Sequence, residues 1–153
     1  MRSPRTCTGK DLRCEASILD ANISLDSRLV VASSQSGEVF VFDSKTGSLK
    51  YTLRGHTRAS RIGSFSPSGN LLVTFSDDHT AIVWNLKTAR ELFTFRGHTQ
   101  PLNSAVFSPG GESILTASQD GKTYLWPVDP LPLALSTKPR ELTEDERSRF
   151  EIE

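Results

Sequence analysis

His56 is followed 22 residues later by Asp78, with Ser76 close by, and six residues beyond Asp78 stands Trp84. The same arrangement returns as His98, Ser118, Asp120 and Trp126. Histidine, serine and aspartate are the groups of a hydrolytic triad, in which the imidazole takes the hydroxyl proton and the carboxylate orients the imidazole. Two equally spaced copies of one triad would be odd for an enzyme, and a structural role is the stronger reading. His79 sits in a turn where other copies have glycine, and is read as a solvated turn residue rather than a ligand. No glycine-rich phosphate loop is present. Cys7 and Cys14 lie seven apart, without the second cysteine or histidine pair that a zinc site needs. They read as two reduced thiols in an N-terminal arm and a reducing, cytoplasmic setting, with a disulfide between them as the alternative. Catalytic residues, metal ligands and cofactors are therefore all expected to be absent.

Composition narrows the partners. Lys plus Arg and Asp plus Glu both number 18, so no net charge argues for nucleic acid or an anionic membrane. No apolar run approaches the roughly 18 residues of a membrane span. The basic N-terminus is not followed by the apolar stretch of a secretory signal.

The chemistry-bearing residues repeat because the whole chain repeats. Arg54 to Thr57 recurs as Arg96 to Thr99, and Phe65 to Gly69 as Phe107 to Gly111, each 42 residues on. A weaker copy lies one period earlier, where Ser34 to Phe42 aligns with Ser76 to Trp84. Within the middle copy, Arg61 to Phe65 begins a strand that a Ser-Pro-Ser-Gly turn ends. Leu71 to Phe75 is a continuous apolar run suited to a strand buried on both faces. Asp77-Asp78-His79 makes a hairpin turn, matched by the stronger Asp120-Gly121 signal. Thr80 to Trp84 and Glu91 to Phe95 supply two more strands. Phe65, Phe75, Phe93, Phe95 and Phe107 alternate along strands, as core residues do. Four short antiparallel strands per period make a propeller blade. The expected fold is all-β: a partial β-propeller of three four-stranded blades at about 13–54, 55–96 and 97–136. A flexible arm at 1–12 would precede them and a tail at 137–153 follow. Three prolines in Pro127 to Pro132 should leave the last strand short, edge-like or lost. Thr143 with Glu146 forms a capping box, so a short helix is expected from Thr143.

These motifs resemble the WD-repeat (beta-transducin-like) family over roughly residues 13–136. The resemblance implies two buried hydrogen-bond tetrads, His56, Ser76, Asp78 and Trp84, and His98, Ser118, Asp120 and Trp126. In the first blade Cys14, Ser36 and Phe42 replace the histidine, aspartate and tryptophan, leaving Ser34, and hydrophobic packing is expected instead. The resemblance also implies a partner-binding top face, at Ala59, Arg61, Asp77, Pro101, Asn103 and Gln119, flanked by Arg58 and Gln100.

The implied function is a non-catalytic scaffold that binds a protein or peptide. The alternative is the C-terminal propeller portion of a larger signalling enzyme such as a serine/threonine kinase, since the tail looks like the ends of many bacterial WD-repeat proteins. Three blades leave apolar faces on the Leu29 to Phe42 and Ile114 to Trp126 sides. Missing N-terminal blades or a homodimer would cover them.

Overall fold

The computed structural model describes residues 7–8, 13–14, 16–128, 140–141 and 143. The repeat folds as three four-stranded antiparallel sheets, each with its strands in sequence order. The first sheet comprises β3 (Ile18–Ile23), β4 (Leu29–Ser34), β5 (Val39–Asp43) and β6 (Leu49–Leu53). The second comprises β7 (Ser60–Phe65), β8 (Leu71–Ser76), β9 (Thr80–Asn85) and β10 (Arg90–Arg96). The third comprises β11 (Leu102–Phe107), β12 (Ser113–Ser118), β13 (Thr123–Pro127) and β14 (Arg140–Glu141). Before them, β1 (Cys7–Thr8) and β2 (Arg13–Cys14) pair as a separate two-stranded ribbon. That ribbon takes in part of the span expected to be a flexible arm.

Turn chemistry sets the strand ends. Ser66 accepts the Leu71 N–H on its Oγ at 3.0 Å, and Gly69 closes the turn at φ 73°. Ser108 with Gly111 repeats this, and Ser24 does so in the first blade, with Ser27 held at φ 58° where the others have glycine. His79 likewise adopts φ 72°, at the position of Gly121 (φ 81°). Glycine enters this region freely, whereas a Cβ clashes there. His79 is half-buried rather than fully solvated.

The middle sheet alternates across its two faces, as the two-residue period of a strand requires. Leu72, Ile82 and Trp84 pack with Val31, Val39, Val41 and Leu53 of the first sheet. Val73, Phe75, Ala81 and Val83 pack with Leu102, Ala105, Ile114 and Trp126 of the third. The innermost strands come so close that a Cβ on Gly63 would lie 2.0 Å from the Ala105 carbonyl oxygen. Side chains also tie neighbouring inner strands together. Asp20 Oδ2 accepts the Ile62 N–H at 3.2 Å, and Ser64 Oγ accepts the Phe107 N–H at 2.8 Å.

Two expectations change, and a third falls outside the described residues. The outer face of the first blade is not open: Phe40 and Phe42 are 0% and 1% exposed, clustered with Ala16 and Ala32. On the far side Leu115 is buried as well, and Leu125 half-buried. The exposed large apolar residues of the first blade are Ile18, Leu19, Ile23 and Leu25, on β3 and the turn after it. The third blade does not stop at 136, because β14 pairs with Tyr124 and Leu125 of β13. Among the described residues that fourth strand is two residues long. The helix expected from Thr143 lies, Thr143 apart, outside the described residues, and Thr143 itself is neither helix nor strand.

Candidate functional site

Each of the second and third blades carries a buried polar chain that fastens the loop before its first strand to the hairpin turn. His56 Nδ1 lies 3.1 Å from Asp78 Oδ2 and His56 Nε2 lies 2.9 Å from Thr74 Oγ1. Trp84 Nε1 donates to the same Thr74 oxygen at 2.8 Å. In the third blade the corresponding distances are 2.9 Å (His98 to Asp120), 2.8 Å (His98 to Thr116) and 2.8 Å (Trp126 to Thr116). The carboxylate only accepts, so Nδ1 carries the imidazole proton, and Nε2 accepts from the threonine hydroxyl. Donors then run one way, from indole to hydroxyl to imidazole to carboxylate, and every polar atom in the chain is satisfied.

The hydroxyl at the centre is a correction. The expected tetrads placed Ser76 and Ser118 there, and the structure puts Thr74 and Thr116 there. Thr74 lies on β8 opposite Ile82, beside Trp84 of the neighbouring strand, whereas Ser76 sits at the strand end. Both hydroxyls recur every 42 residues, so periodicity alone could not choose between them. Ser76 Oγ instead donates to the Arg58 carbonyl at 3.3 Å and accepts the Asp78 N–H at 3.0 Å. Ser118 Oγ reaches the Gln100 and Pro101 carbonyls at 3.0 and 2.9 Å and accepts the Asp120 N–H at 3.2 Å. The hydroxyl beside each histidine belongs to a wholly buried threonine, out of reach of a substrate. In the first blade Ala32 and Phe42 occupy the threonine and tryptophan positions and pack hydrophobically.

Burial is the largest single influence on the Asp78 carboxyl and works to raise its pKa. Hydrogen bonds from His56, Thr80 and the Thr57 N–H outweigh it and hold the group well below the usual carboxylate range. For Asp120 burial again opposes, while the Thr99 N–H, His98 and the Lys122 N–H bring the pKa down to about 2.

Above these networks a groove of about 360 Å³ crosses the junction of the second and third blades. Arg58, Arg61, Asp77, Pro101, Asn103 and Gln119 line it, as does the expected top face, while Ala59 and Gln100 do not. Phe75 and Leu102 also line it. Their apolar identity reads as core in the sequence, and both are in fact almost wholly buried. Arg61 Nη1 donates to Asp77 Oδ1 at 2.9 Å. Both walls are pinned alike: the Asp77 N–H bonds the Ala59 carbonyl at 3.1 Å, and the Gln119 N–H bonds the Pro101 carbonyl at 3.0 Å. Among the described residues, no group of three His, Cys, Asp or Glu side chains is placed to hold a metal ion. No described helix is long and apolar enough to cross a membrane.

The family model for the WD domain, G-beta repeat, matches residues 47–85 and 89–127, together just over half of the chain. No curated protein matches the chain. A solved structure of U3-55K and a crystal structure of the WD40 repeats of RRP9 each superpose with a TM-score of 0.70 at 18% identity. Each alignment covers 81% of this chain and 38% of the other, so the chain spans well under half the length of those structures.

Proposed function

Since the chain belongs to the family of WD domain, G-beta repeat proteins, we propose that it is a non-catalytic scaffold that binds a protein or peptide segment in the groove between its second and third blades. The observation that carries this reading is the set of hydrogen bonds that tie both walls of that groove to the blade turns. Ser76 and Ser118 hook the Arg58 and Gln100 carbonyls to the same turns that the buried networks hold. The backbones of Arg58, Asp77 and Gln119 are therefore held beside the buried Phe75 and Leu102, with Arg61 bonded to Asp77. Preorganised polar groups around a small apolar floor suit an extended segment, because little ordering remains to be done on binding. Both signs of charge line the groove, which favours a polar peptide over a polyanion such as nucleic acid. The 38% share of the superposed structures supports a role within a larger propeller.

A peptide-display selection against the whole chain tests the reading. Selected peptides should protect backbone amides of residues 58–61 and 102–103 from hydrogen exchange. Arg61→Ala and Asn103→Ala should each weaken them about tenfold, or ~1.4 kcal/mol. Lys87→Ala, in the exposed turn after β9, should leave binding unchanged. Peptides that protect other surfaces and ignore Arg61 and Asn103 would place the binding face elsewhere.

A further inference from the structure

Cys7 and Cys14 are the only cysteines of the chain. The β1–β2 ribbon sets them directly opposite one another: Cys7 is the Cα partner of Cys14, and Thr8 that of Arg13. Opposed residues of an antiparallel pair have Cα atoms about 4.5 or 5.5 Å apart, depending on their place in the hydrogen-bond ladder. Both spacings fall within the roughly 4.4–6.8 Å that a disulfide spans. With two cysteines, only one intrachain connectivity exists.

The pair lies just ahead of the first blade. Cys14 stands one period before His56. In the second and third blades that position fastens the loop before the first strand through the histidine–aspartate bond. In the first blade, Ala32, Ser36 and Phe42 replace the threonine, aspartate and tryptophan of that network, so it has no equivalent there. The ribbon also lies just before Ala16, which packs with Phe40 and Phe42 on the outer face of the blade.

We propose that Cys7 and Cys14 are a disulfide site, oxidised by exchange with a small-molecule disulfide, and that the bond closes the β1–β2 ribbon ahead of the first blade. In the first exchange one cysteine thiolate attacks a sulfur of oxidised glutathione, giving a mixed disulfide and releasing one glutathione thiolate. The second cysteine thiolate then attacks the protein sulfur of that mixed disulfide and releases the second glutathione. The protein gives up two electrons and two protons, and glutathione disulfide takes them up as two thiols.

The full chain, first reduced, is equilibrated in a series of glutathione redox buffers, quenched in acid and alkylated with N-ethylmaleimide. Its intact mass is then read. The same series is run in native buffer and in guanidinium. The native chain should close to a monomer that takes up no maleimide, with an effective thiol concentration at least about tenfold above that in guanidinium, since the ribbon holds the pair in register. Cys7→Ser should stop at the mixed disulfide with glutathione. Equal effective concentrations in the two solvents, interchain-linked dimers, or two thiols that stay alkylatable throughout the series would each overturn the proposal.

Discussion

Trp84 donates its indole N–H to Thr74 at 2.8 Å, and Trp126 makes the same bond to Thr116 at 2.8 Å. Threonine thus sits between tryptophan and histidine in both blades and completes a chain that ends on an aspartate. Ser76 and Ser118 perform a different task, tying the groove-lining loops to the turns.

The chain of donors implies coupled energetics. His98→Ala or Asp120→Ala should each destabilise the fold by about 1–3 kcal/mol, because each strands a buried partner. The double variant should lose much less than the sum of the two, since both act within one network. Thr116→Val should cost about as much as either. Denaturant melts of the single and double variants give the answer, and simple additivity would count against a shared network.

Acid should loosen the second and third blades. The folded pKa values of Asp78 and Asp120 lie below those of the unfolded chain, so each carboxylate contributes stability that is fully present above the unfolded pKa, about 4. That contribution is lost as pH falls from there through the folded pKa, about 2 for Asp120. Melting temperatures measured across this window should fall for the native chain. They should fall less for Asp120→Asn, whose contribution is already gone.

His79 occupies the left-handed position that Gly121 holds one period later. His79→Gly should stabilise the chain by about 0.5–1 kcal/mol, the relief of a Cβ in this region less the added freedom of glycine when unfolded. Gly121→Ala should cost about 1–2 kcal/mol from backbone strain alone, because a Cβ there would meet nothing within 4 Å. Thermal denaturation of both variants distinguishes strain from side-chain contact.

Gly63 answers to packing rather than to backbone angle. Its neighbour across the blade junction is the Ala105 carbonyl, 2.0 Å from where a Cβ would sit. Gly63→Ala should cost about 3 kcal/mol, because the innermost strands of adjacent blades must separate. The aligned residues Ala21 and Ala105 already carry a Cβ, so Ala21→Gly should show no comparable gain in denaturant melts.

The 42-residue spacing of Gly-His, Asp and Trp made the sheets, turns and blade count legible, because a strand's period and a turn's backbone demands are local and recur in each copy. The histidine–aspartate pairing was implied by the family resemblance that those motifs carry. The choice of Thr74 over Ser76 was not, since both hydroxyls repeat, and only cross-strand register shows which one meets the indole. Phe75 reads as core, and its second role as lining of the groove, beside Leu102, emerges where two blades meet. The displaced fourth strand of the third blade and the buried face of Phe40 and Phe42 depend on segments distant in sequence. Local pattern sets which residues form strands. Contacts between separate strands decide which atoms become partners.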